Sequence, residues 1–330
     1  MKRLLLVLAV TACGGGAPKP APVPVVEDTK PEPPPEPAKP PEPPKPPEPK
    51  ALDVSVGATT ATAKLVAAGK GKRAKLLLAP KAGDKQTIEV AMDFSATAGA
   101  KDAPKSQVIP TIVLTGDVEV KTADSGGAAY SFVVAGIDAR DVPGASIHSE
   151  QIKPVIAALA GLHIDGTVTP NGTAGAINLH LMTADPMAQS ALELVRLALP
   201  GWPVLPTEPI GVGAKWAVKS TARVADKLEV SLETTYELTA HTGASWTVKG
   251  TTKVTGADQA MEGGKISGIS GTGTIEATIT DGALYPAYKS TLETKFTATE
   301  PSKGSSETSS ATPAKSESYD LVIGGAVTIK

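Results

Sequence analysis

The residues able to carry chemistry in this chain of 330 residues are few: four histidines, one cysteine and three tryptophans. His148, His163, His180 and His241 include no pair four residues apart. A zinc centre needs three or four nitrogen or sulfur ligands brought together, and Cys13 is the lone cysteine, so no metal is expected. No G-x-S-x-G nucleophile elbow occurs. Gly263-Gly264-Lys265 lacks the spacing and the strand-to-helix setting of a phosphate loop. The sequence therefore names no catalytic residue and no cofactor, and an enzyme is not expected. His163 and His180 fall on the polar sides of neighbouring predicted strands, where a solvated pair accounts for them. Trp202 and Trp216 have two readings: they line a site for an apolar ligand, or they anchor an irregular crossing onto the core. The net charge of −2 and the 3% aromatic content give nucleic-acid binding no support.

The amino terminus carries a different kind of chemistry. Lys2 and Arg3 precede the short apolar run Leu4–Val10, the order of a secretory signal peptide over residues 1–12. That run is far shorter than the ~20 residues of a spanning helix. Val10-Thr11-Ala12-Cys13 then resembles the lipobox of bacterial lipoproteins. The resemblance implies cleavage before Cys13, diacylglycerol on its thiol and an acylated amino group. Such a chain is held to a bilayer by Cys13, since more than one acyl chain gives stable anchoring. Gly14, in place of an aspartate, implies the outer membrane over the inner by the enterobacterial sorting rule. The body would then be periplasmic or surface-exposed in a bacterial cell envelope.

Residues 13–50 hold this anchor and a tract typified by Pro40-Pro-Glu-Pro-Pro-Lys-Pro-Pro-Glu-Pro. Repeated proline removes backbone donors and fixes φ, which favours polyproline II and a semi-rigid spacer. At ~3.1 Å per residue it reaches on the order of 100 Å.

From Ala51 the composition turns to Val, Ile, Leu, Thr and Gly. Ile88, Val90, Met92 and Phe94 alternate with polar residues, the period of a strand with one buried face. Gln107–Lys121, Tyr130–Val134, Leu228–Leu238, Trp246–Val254, Ile275–Ile279, Tyr288–Phe296 and Tyr319–Ile323 repeat the pattern, and such alternation favours antiparallel pairing. Helical spacing over Ile152–Leu159 predicts one helix. Asp185-Pro186 opens a second, apolar around most of its circumference up to Leu199. His163–Thr169 and Ala176–Met182 read as a hairpin about Pro170-Asn171-Gly172. Gly256–Gly268 and Thr299–Ser318 read as loops.

Leu199–Trp216 joins two stretches, 51–200 with the helices and 201–330 with strands alone, which form two halves or one continuous domain. Its run Leu205-Pro-Thr-Glu-Pro-Ile-Gly-Val-Gly-Ala-Lys-Trp216 resembles that of bacterial lipoproteins of unknown function, which brings no activity with it. The lipobox with strands wrapped on helices is similar in architecture to lipoprotein carriers of the LolA/LolB kind. The expected fold is mainly β within an α+β class: curved antiparallel sheets or a half-barrel, duplicated or not, with two central helices on the concave apolar face. The expected function is a non-enzymatic envelope lipoprotein binding an apolar ligand or lipid between sheet and helices. The alternative is a structural or protein-interaction module with a filled core.

Overall fold

A computed structural model describes residues 51–99, 104–184, 186–197, 201–224, 228–261, 264–300 and 316–330. Cys13, the signal peptide, the proline tract, Asp185, Leu199, Gly263 and residues 301–315 of the expected loop lie outside these.

In chain order the strands are β1 (Leu52–Val56), β2 (Ala61–Ala67), β3 (Lys70–Ala74), β4 (Lys85–Gly99), β5 (Lys105–Val108) and β6 (Thr111–Asp124). β7 (Gly127–Arg140) leads into helix α1 (Ser149–Ile156) and a 3-10 turn, Ala157–Leu159. The hairpin β8 (His163–Val168) and β9 (Ala174–Leu181) precedes helix α2 (Pro186–Leu197). After the join come β10 (Ile210–Val212), β11 (Lys215–Val224), β12 (Leu228–Thr242), β13 (Ser245–Thr255) and β14 (Gln259–Met261). The last are β15 (Gly264–Thr280), β16 (Ala287–Thr299) and β17 (Ser316–Ile329).

Among the described residues, 15 strands form one sheet, in the order β1-β9-β8-β7-β6-β4-β17-β16-β15-β13-β12-β11-β2. β5 and β14 are short additions to β4 and β15, and β3 pairs separately with β10. All recorded pairings are antiparallel, from Ile88↔Ile329 between β4 and β17 to Trp216↔Leu65 between β11 and β2.

The two ends of this order are consecutive in sequence. Only Gly57–Thr60 separates β1 from β2, so Val56 and Ala61 are at most about 18 Å apart. The Thr59 N–H donates to Ala174 O (3.0 Å) at the start of β9, and two residues later Ala61 is in register with Ser220 of β11. The segment 52–67 thus leaves one margin of the sheet and joins the other, and the sheet returns on itself.

Alternation decides which face is inside. Ile88, Val90, Met92, Phe94 and Ala96 of β4 are buried, as are Leu228, Val230, Tyr236 and Leu238 of β12, while Glu229, Glu233 and Thr235 between them are exposed. The enclosed side chains form a large cluster that includes Ile88, Leu114, Phe132, Ile156, Leu192 and Trp216. A second, smaller cluster of Leu228, Val230, Val254, Ile266, Ile269 and Phe296 fills the other ends of the long strands. Burying each such side chain stabilises the fold by roughly 1.5–3 kcal/mol.

The expected α+β architecture is corrected by these observations. Among the described residues the chain is nearly all β, with 15 of its strands in one large sheet and two short helices of 8 and 12 residues. The helices pack on each other, and α1 reaches the sheet at β7. Ile152, Ile156, Leu192 and Val195 are buried, but two and three turns of helix cannot form a layer across a sheet of this width. The physical source of the difference is strand length. The region read as a loop after Gly256 contains β14 and the start of β15, whose 17 residues bulge between Ser267 and Ser270 and thereby hide the period of two.

Candidate functional site

The join is held in place by its own side chains. Trp202, Val204, Leu205 and Ile210 are buried. Leu205 N–H donates to Asn171 O (2.7 Å), which lays the crossing over the β8–β9 turn. Gly172 permits that approach: its φ is +84°, and a Cβ there would stand 2.5 Å from Pro203 O.

The structure gives each tryptophan a partner. Trp202 Nε1 donates to Leu284 O (2.9 Å), and Trp216 Nε1 donates to Val204 O (2.7 Å). The Trp202 ring meets Tyr285 at 4.7 Å and Tyr130 edge-on at 5.4 Å, while Trp216 stacks on Tyr236 at 5.4 Å. The two indoles therefore belong to separate aromatic groups. Between β4, β6, β7, β8, β9, α2 and Tyr285 the interior leaves a cavity of about 10 Å³, bounded by Val90, Met92, Leu114, Tyr130, Phe132 and their neighbours. That is about one water-sized sphere.

Sequence reading missed Gln86, which points inward from β4. Its Oε1 accepts from the N–H groups of both Leu284 and Tyr285 (2.9 Å each), and its Nε2 donates to Tyr285 O (3.2 Å). A lone polar residue at an inward position of an otherwise apolar strand face was the available signal. Burial pushes Tyr130 and Tyr236 up to about 12, and Tyr285 and Tyr288 are likewise raised by burial.

The outer face is polar and laddered. Across β11, β12, β13, β15 and β16 one row reads Lys215, Glu237, Lys249, Glu276, Lys289. It includes ion pairs Lys215–Glu237 (3.3 Å) and Lys249–Glu276 (3.4 Å). Thr235, Thr251, Thr274 and Thr291 make the adjacent row, with Thr274 and Thr291 sharing a hydrogen bond of 2.9 Å. Two open grooves lie beside the Gly57–Thr60 crossing. One, of about 450 Å³, includes Thr60, Thr62, Lys219, Glu233 and Lys253. The other, of about 400 Å³, includes Ala58, Thr59, Asp124, Thr167 and Thr173.

His163 and His180 are brought together by register, since they are directly opposed on β8 and β9 with ring centroids 6.5 Å apart. Asp53 of β1 opposes His180 from the other side, and His180 Nδ1 lies 2.6 Å from its Oδ1. His148 stands at the start of α1, and His241 stacks on Trp246 at 3.6 Å, both apart from this row. Among the described residues no group of three His, Cys, Asp or Glu converges as metal ligands.

No family model matches the chain, and no curated protein matches it. Similar solved structures include the outer membrane protein OprG from Pseudomonas aeruginosa, at 9% identity and a TM-score of 0.18, covering 76% of this chain and 99% of that one. Another is OmpT of Vibrio cholerae, an outer membrane protein in its in-vitro folded trimer form, at 6% identity and a TM-score of 0.16, covering 75% and 100%. Likeness at these scores carries no argument. The faces themselves are more informative. A transmembrane barrel presents an apolar band outward, whereas the rows above present lysine, glutamate and threonine. No described helix is long and apolar enough to cross a membrane.

Proposed function

We propose that this protein is a non-enzymatic lipoprotein of the bacterial envelope, anchored by acylated Cys13 and held off the membrane by its proline-rich stalk. Its β body acts as a structural or protein-interaction module through its polar outer face. The observation that carries this reading is the filled interior. A site for a drug-sized or lipid-sized ligand encloses roughly 300–1,000 Å³, and among the described residues the core cavity bounded by Val90, Met92 and Tyr130 is about 10 Å³. The larger concavities described above are open grooves of mixed polar and apolar lining.

Two measurements test the two parts. Native mass spectrometry of the full chain carrying Cys13→Ser, purified without detergent, is expected to give the bare protein mass before and after incubation with phospholipid or fatty acid. A stoichiometric adduct would restore the carrier reading. For the anchor, the unsubstituted chain expressed in a diderm bacterium is expected in the membrane fraction, and Cys13→Ser in the soluble one. Equal partition of the two would refute acylation at Cys13.

A further inference from the structure

A second feature of the outer face lies at the β1 margin, where the row Asp53–His180–His163 crosses three strands. The period of two along β9 puts residue 182 on the same side as residue 180. Met182, one residue past the strand, is 64% exposed, an unusual setting for a thioether, and its Sδ lies 3.4 Å from His180 Nε2. The other nitrogen of that ring is engaged by Asp53 at 2.6 Å. The ring of His163, 6.5 Å away and nearly perpendicular, has no hydrogen bond to a described residue.

From this geometry we propose that His180, Met182 and His163 form a binding site for a soft monovalent cation, Cu(I), with Asp53 as the group that orients His180. If Nδ1–H donates to Asp53, the tautomer is fixed and the Nε2 lone pair faces the sulfur, as in the carboxylate–histidine pairs that support metal ligands. Metal–nitrogen and metal–sulfur bonds of about 2.0 and 2.3 Å, as at zinc, put the two donor atoms about 3.5 Å apart at a tetrahedral angle. The observed 3.4 Å fits that spacing. Two imidazoles with a thioether are a soft donor set, which selects Cu(I) over the hard divalent ions. Binding adds no covalent or redox step: the ion enters as Cu(I) and stays so. The inference stands independently of the proposed envelope role.

The test is an anaerobic competition titration of the full chain against a chromophoric Cu(I) chelator. Cys13→Ser is present throughout, so that the free thiol does not compete. The chain is expected to withdraw one equivalent of Cu(I). Met182→Leu and His163→Gln should each lower its affinity at least tenfold, and Asp53→Asn by roughly 10–100-fold, the usual effect of an orienting partner. His241→Gln should bind as the parent does. All four positions are solvent-facing or outside the core, and thermal melts of the variants are expected to overlay the parent. Failure of the parent to withdraw Cu(I), or parental affinity in either Met182→Leu or His163→Gln, overturns the three-donor site.

Discussion

At the scale of single residues, the interior is organised by a few polar atoms placed among aromatic rings. Gln86 satisfies three backbone groups of residues 284 and 285 at once. Gln86→Leu removes all three bonds while keeping volume, and stranded buried groups cost about 1–3 kcal/mol each. A loss of several kcal/mol is expected in urea denaturation, larger than for Gln86→Glu if the carboxylate keeps the two N–H donors. Trp202→Phe strands Leu284 O and is expected to cost about 1–3 kcal/mol by the same measure. The tyrosines give a pH prediction. All five are raised above 10, first by burial, with Tyr130, Tyr236 and Tyr319 at about 12. A raised phenol binds its proton more tightly in the folded chain. The associated stability is therefore complete below pH 10 and lost as pH rises through the folded values. Absorbance at the tyrosinate band should stay flat to about pH 11 in the folded protein and then rise together with unfolding. A simple transition centred near pH 10 in the folded state would contradict the burial.

At the scale of elements, turns and crossings depend on a few glycines. Gly69 has φ +77°, and a Cβ on it would stand 2.2 Å from Gly211 O, where the end of β2 meets the join. Gly71 has a similar φ of +73° with nothing within 4 Å. Gly71→Ala should cost only the left-handed backbone penalty, about 1–2 kcal/mol. Gly69→Ala should cost distinctly more, because backbone must move. Paired melting curves of the two variants check the difference, and equal shifts would mean the join does not press on β2. Many elements were legible in sequence for reasons these contacts explain. The alternation at Ile88–Phe94, the hairpin about Asn171 and the helix opened by Pro186 each follow local rules that tertiary structure leaves intact. β1 and β2 were not foreseen, because short edge strands such as Leu52–Val56 carry too few residues to show a period. Of the donor row, His163 and His180 were readable as neighbours from their strands. Asp53 was not, since its pairing with His180 spans the whole first half of the body.

For the whole molecule, the decisive fact is how residues 51–200 and 201–330 share one sheet. β4 lies between β6 and β17, and β2 pairs with β11. A chain ending at residue 200 would leave the 15-residue β4 with one margin bare along the whole β17 register. Residues 51–200 expressed alone are therefore expected to aggregate or remain unfolded, whereas 51–330 should unfold in a single cooperative step. Circular dichroism and analytical ultracentrifugation of the two chains decide this, and an independently folded, monomeric 51–200 would show that the sheet divides at the join. The legible strands gave no hint of this interleaving, since pattern reports which face of a strand is buried but not which distant strand lies beside it.

The long-range pairings of β1, β2 and β17 have a consequence for timing. β1 and β2 find partners only in β9 and β11, and β4 waits for β17, the final strand of the sequence. Bringing such remote segments together is slow, because the chain entropy of the intervening loops is lost before the contacts that offset it are made. A growing chain consequently has no complete sheet to close until Ile329 has emerged. Local hairpins such as β6–β7 can form earlier, but the sheet is expected to close only once β17 is available to β4.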